Sequence, residues 1–104
     1  MQPHRIRLRD PWDVSPTDDG GTVRCRAFNK PTGLTVGDVV RLVVESAEGL
    51  QSVALNGRVL EVARNRDVAG CDIFAVLQPR NQLELRVAAG GQIGEVRLEI
   101  EAKA

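Results

Sequence analysis

Residues 52–60, SVALNGRVL, set Asn56-Gly57 between two alternating apolar runs. Asn-Gly is the favoured pair for a two-residue type I′ hairpin, because both central residues need positive φ. A two-residue loop fixes the register. Leu55 then faces Arg58, Ala54 faces Val59, Val53 faces Leu60, Ser52 faces Glu61 and Gln51 faces Val62. One face carries Val53, Leu55, Leu60 and Val62; the other is small or polar. A slip of one residue would turn that apolar set outward, so the pattern commits this part of the chain to a defined antiparallel pair.

The same period of two recurs along the chain. Ile6 and Leu8 alternate with Arg5, Arg7 and Arg9; Val23, Cys25 and Ala27 alternate with Arg24 and Arg26. Val40, Leu42 and Val44 share one face, as do Leu83, Leu85 and Val87, and Val96, Leu98 and Ile100. Such runs read as half-buried strands, and no segment shows a helical stripe of ten residues. Asp72 is placed to cap a short helical turn near 72–77, with Ile73, Phe74 and Leu77 plugging one end of the core, and Pro79 ends it. Phe28 and Phe74 read as core residues. Loops are expected at 10–21, 29–38, 46–51, 64–71 and 88–94. The expected fold class is all-β, an antiparallel β-sandwich. At 104 residues, the chain is expected to form a single domain, 1–104, large enough to fold alone.

Three stretches in order, GDVVRLVVESAEGLQSVALNGRVL, CDIFAVLQPRNQLELRV and GEVRLEIEA, resemble the galactose-binding-like jelly roll. They are most similar to the sugar-binding domain that precedes the barrel in glycoside hydrolase family two, the β-galactosidases and β-glucuronidases. The likeness covers about residues 22–102 and rests on Val53, Leu55, Asn56 and Gly57, on Asp72, Ile73 and Leu77, and on Asn81, Leu83, Leu85 and Val87. It implies a jelly-roll fold and a non-catalytic, carbohydrate-binding accessory module. The chain departs from the pattern at Ala54, Phe74 and Arg80, and the stretch before Asp72 lacks the aromatic and histidine residues often found there. Fold by itself does not establish function.

Chemistry is sparse in the sequence. Histidine occurs once, as His4, so a histidine-based catalytic site is not expected, and the chain reads as no enzyme. One His and two distant Cys suit no zinc site. Asp18 and Asp19 are hard oxygen ligands but lack the spacing of a calcium loop; no metal and no cofactor is expected. Cys25 and Cys71 read as buried free thiols. The AAGGQIG stretch lies between strands, so it is no phosphate loop. Glu99 and Glu101 read as a solvated ladder rather than a hydrolytic pair.

Lys plus Arg and Asp plus Glu both total 14, which gives no electrostatic footprint for nucleic acid. No stretch is long enough to span a membrane, and the N-terminus has no apolar leader, so the expected location is the cytoplasm, unless the chain is a piece of a larger secreted protein. Of the cations, 12 are Arg. If the first and last strands are neighbours, Glu95, Glu99 and Glu101 face and neutralise the Arg5–Arg7–Arg9 stripe, and such a ladder tells against an anionic partner; unpaired Arg5 and Arg24 would instead favour one. Trp12 is either a packing residue or an exposed ring, and it is the one available stacking platform. Arg64, Asn65, Arg66 and Asp67 can bind sugar hydroxyls. These five residues form the expected saccharide site. The alternative is a structural or protein-interaction sandwich, its partner a protein or a second copy, docking on an apolar patch around Val39 and Val43.

Overall fold

The protein is described here by a computed structural model covering residues 4–102. Two antiparallel five-stranded sheets enclose one apolar core. The first sheet runs, in spatial order, β1 (His4–Arg7), β10 (Val96–Glu101), β4 (Val39–Val44), β8 (Val68–Asp72) and β7 (Ala63–Asn65). The second runs β2 (Asp13–Pro16), β3 (Thr22–Asn29), β9 (Arg80–Val87), β5 (Leu50–Leu55) and β6 (Arg58–Leu60). Two 3-10 turns, Ala47–Gly49 and Phe74–Val76, complete the structure.

The pairing is nested. With the edge strands β2 and β7 set aside, β1 pairs β10, β3 pairs β9, β4 pairs β8 and β5 pairs β6. First pairs with last, second with second-last, and so inward. The chain is therefore one long antiparallel ribbon wound around the core, which is the jelly-roll arrangement. Asn56-Gly57 is the tip of that ribbon. Asn56 has φ 53° and Gly57 φ 82°, and the register is Leu55 with Arg58, Ala54 with Val59 and Val53 with Leu60, as the turn chemistry requires.

Alternation builds the core. Val40, Leu42 and Val44 from β4, Leu83, Leu85 and Val87 from β9, and Val96 and Leu98 from β10 are all buried. Each such side chain contributes about 1.5–3 kcal/mol through burial. Asp72 Oδ1 accepts the Phe74 backbone N–H at 3.0 Å and starts the second 3-10 turn, while Ile73 is buried and Phe74 and Leu77 pack against the core.

Three local expectations are corrected. Residues 64–71 form no loop; they make the β7–β8 hairpin, closed by Arg66 at φ 59° and Asp67. Residues 10–21 contain the edge strand β2, and Leu50 and Gln51 already belong to β5. The faces of β3 are reversed: Arg24 pairs with Leu85, Arg26 with Leu83 and Phe28 with Asn81. Directly opposed residues share a face, so the two arginines lie on the side of the buried Phe28, and Val23, Cys25 and Ala27 lie outside with Glu84 and Arg86. The bulk of Phe28 decides the matter. Small Val, Cys and Ala side chains tolerate half-exposure, and long Arg stems can run along apolar surface to the open edge of the sandwich.

Asn81 is the buried polar centre. Its Oδ1 accepts from Asn56 Nδ2 at 3.1 Å and from the Gln78 backbone N–H at 2.9 Å. Its Nδ2 donates to Gln78 O at 2.7 Å and Phe28 O at 3.5 Å. An unpaired buried polar group costs about 1–3 kcal/mol. Asn81→Ala is therefore expected to lower unfolding stability by about 2–3 kcal/mol, read from the urea midpoint, whereas Arg58→Ala on the exposed edge should change it by less than about 0.5 kcal/mol.

Candidate functional site

The sandwich is open where the chain crosses from β1 to β2. A cleft of about 720 Å³ lies there, walled by Leu8, Trp12, Val14, Ile93 and Val96 and lined by Arg7, Arg9, Asp10, Arg24 and Glu95. The Asp10–Pro11 peptide in the crossing is cis. Leu8 is buried and donates its N–H to Val96 O at 2.8 Å. Its own carbonyl accepts from Trp12 Nε1 at 3.1 Å. That bond fixes the indole, which is half-buried against the core and still lines the cleft. Trp12 is thus both of the things the sequence leaves open: a packing residue on one side and a wall of the cleft on the other.

Charges at this edge divide into paired and unpaired. Arg7 Nε lies 2.7 Å from Glu95, and Arg5 Nε lies 3.6 Å from Glu99. Arg97 sits among Glu45 (2.7 Å), Glu95 (3.0 Å) and Glu99 (2.8 Å). Burial alone would lower the Arg97 pKa; the Glu99 hydrogen bond and the charges of Glu45 and Glu99 outweigh it and raise the value above its ordinary level. Two of the three expected glutamates, Glu95 and Glu99, therefore neutralise Arg7 and Arg5 on the outer face of the β1–β10–β4 sheet, whereas Glu101 lies 3.8 Å from Arg41 and not on the arginine stripe. Arg24 differs. Its Nε reaches only Thr22 Oγ1, at 3.3 Å, and no carboxylate pairs with it or with Arg9 among the described residues. Arg26 donates from Nε to Arg9 O at 2.6 Å, which ties the crossing segment to β3.

The other expected site residues do not join Trp12. Arg64 turns back and donates to Ala47 O (2.9 Å) and Leu50 O (2.5 Å), holding the first 3-10 turn. Asp67 accepts through its backbone from the Ala47 N–H. Arg66 is exposed at the hairpin turn. Asn65 lines a second groove of about 630 Å³ on the outer face of the first sheet, above Val43 and Gly70, with Arg41, Asp72 and Glu99 around it. Val43 itself is 4% exposed, so it offers no apolar docking patch. Sequence reasoning left Arg9, Asp10 and Arg24 out of the site; the signal that finds Arg24 is its parity with Phe28.

Asp19 serves its own turn, accepting from the Thr17 hydroxyl and from the Gly21 N–H at 3.1 Å. No cluster of three metal-ligating side chains occurs among the described residues. Both cysteines are free and half-buried. Burial, then Glu84 and Asp13, pushes the Cys25 thiol up, and burial, then Asp72, does the same to Cys71. Both thiols thus stay protonated near neutrality and are poor nucleophiles. His4 is exposed at the start of β1. No helix among the described residues is long and apolar enough to cross a membrane. The chain matches no protein-family model and no curated protein.

The Asp19 turn has a pH signature. The Thr17 hydroxyl and the Gly21 N–H hold the Asp19 carboxyl below its ordinary value. A depressed folded pKa gives stability above the unfolded value, about 3.9, that is lost as pH falls through the folded one. Relative to Asp19→Asn, the wild type should be more stable at about pH 6 and lose that advantage below about pH 4, as urea midpoints measured across this range will show.

Proposed function

We propose that the protein is a non-catalytic saccharide-binding module whose ligand sits in the cleft beside Trp12. One observation carries the reading: the only indole of the chain is held by its own N–H, in the wall of a cleft about 720 Å³ in volume. A fixed ring gives a sugar face an apolar platform at little entropic cost, and nearby polar groups supply orientation. Arg9, Arg24 and Asp10 are such groups here. The cleft also has the volume usual for a small-ligand site, about 300–1,000 Å³. The jelly-roll resemblance supports the same class of ligand by analogy of fold alone.

The protein-interaction alternative draws on three exposed valines, Val14, Val36 and Val59, at 56%, 85% and 72%. They sit on β2, on the loop before β4 and on β6, so they form no single patch, and the saccharide reading is preferred.

The test is thermal unfolding with mono- and oligosaccharides at about 10 mM. A ligand of about 1 mM Kd stabilises by about 1.4 kcal/mol at that concentration, a shift of several degrees for a domain of this size. The shift should vanish in Trp12→Ala and persist in part in Trp12→Phe, which keeps a ring in place. No shift with any sugar, or an undiminished shift in Trp12→Ala, contradicts the proposal.

A further inference from the structure

We infer that the cleft takes a negatively charged group, so that the preferred saccharide carries a carboxylate or a sulfate. The inference rests on the saccharide reading and adds the chemical class of the ligand. Arg24 is brought to the cleft by the register of β3 on β9. It is half-buried, and among the described residues its terminal nitrogens make no hydrogen bond and no ion pair. Arg9, on the segment leaving β1, likewise has an uncommitted guanidinium among the described residues, although its carbonyl holds Arg26.

Every other charge lining the cleft has to be counted against these two. Glu95 is already shared by Arg7 at 2.7 Å and Arg97 at 3.0 Å. Asp10 is the one remaining acid. Two free guanidiniums thus face one carboxylate, in a chain whose formal net charge is zero. The excess is local and is placed by the fold. A guanidinium fork matches the oxygens of a carboxylate or sulfate, often with two parallel hydrogen bonds. A depression of about 420 Å³ adjoins the cleft and shares Arg9 with it; its Arg5 and Arg7 are already paired with Glu99 and Glu95 and add no free charge.

The experiment compares glucuronate, glucose 6-sulfate, glucose and inorganic sulfate at constant ionic strength, using Kd values from the melting shift. The two acidic sugars should bind at least about tenfold more tightly than glucose. Their advantage should fall as salt rises from about 20 to about 200 mM. It should disappear in Arg24→Gln and in the exposed variant Arg9→Gln, and survive in Arg58→Gln on the far edge. The ranking of glucuronate against glucose 6-sulfate tells which acid group is read. Glucose binding as tightly as glucuronate overturns the inference and leaves the saccharide reading standing. Inorganic sulfate equalling the acidic sugars upholds the anion site and contradicts the saccharide reading. An acidic-sugar preference unchanged in both Arg9→Gln and Arg24→Gln overturns the placement of the charge. Silence from all four probes overturns both.

Discussion

The hydrogen bond from Asn56 Nδ2 to Asn81 Oδ1 joins the tip of the wound ribbon to its middle. Asn56 sits at the turn where the chain reverses, and Asn81 is buried one residue into β9. Asn56 Oδ1 in turn accepts the Gln82 N–H at 2.8 Å, and the Asn56 N–H donates to Gln82 O at 2.9 Å. Phe28 O and Gln78 complete the Asn81 shell. Two amides therefore clamp the β5–β6 hairpin onto β9, close the second 3-10 turn and hold the end of β3. In a low-dielectric core such bonds are strong when complete and costly when broken. They also forbid a register shift, because a slip would leave buried amide atoms without partners.

That fixed register reaches the cleft by a short path. Asn81 opposite Phe28 places Leu83 opposite Arg26 and Leu85 opposite Arg24. The residue at the Asn81 end of β3 belongs to the core, and the same face two and four residues back carries arginines toward the open edge. There the crossing segment adds Trp12 and Arg9. The cleft is thus made where two edge strands from different sheets, β1 and β2, are joined directly and the apolar core runs out.

How far the sequence discloses this depends on how single-minded each strand is. β9 and β10 carry large apolar residues on one parity and polar ones on the other, and β4 sets Val40, Leu42 and Val44 against Val39, Arg41 and Val43, so their inner faces were legible. β3 is divided. Val23, Cys25 and Ala27 favour one face by number, Phe28 favours the other by size, and both expectations could not hold together. The packed structure follows size, since a buried aromatic removes more apolar area from water than Ala or Cys. The β7–β8 hairpin was hidden because its turn puts Arg66 at positive φ, where Gly or Asn gives the usual signal. β2 was hidden because a four-residue edge strand ending in Pro16, with all four residues exposed, has no alternation to read. The pairing of Arg5 and Arg7 with Glu99 and Glu95 was legible from the alternation of β1 and β10. The split between Trp12 and residues 64–67, which lie on opposite edges of the sheets, follows from strand order alone and had no local signature.

The chain contains one tryptophan, so its indole N–H gives a single resonance in a nitrogen–proton correlation spectrum. The most direct measurement follows that resonance while an acidic sugar such as glucuronate is added. The account predicts a saturable shift of the Trp12 indole together with the backbone amides of Arg9, Arg24 and Gly94, and little change at Asn65 and Gly70 in the second groove. An indole resonance that stays still while the β7–β8 amides move, or while nothing moves, would contradict it.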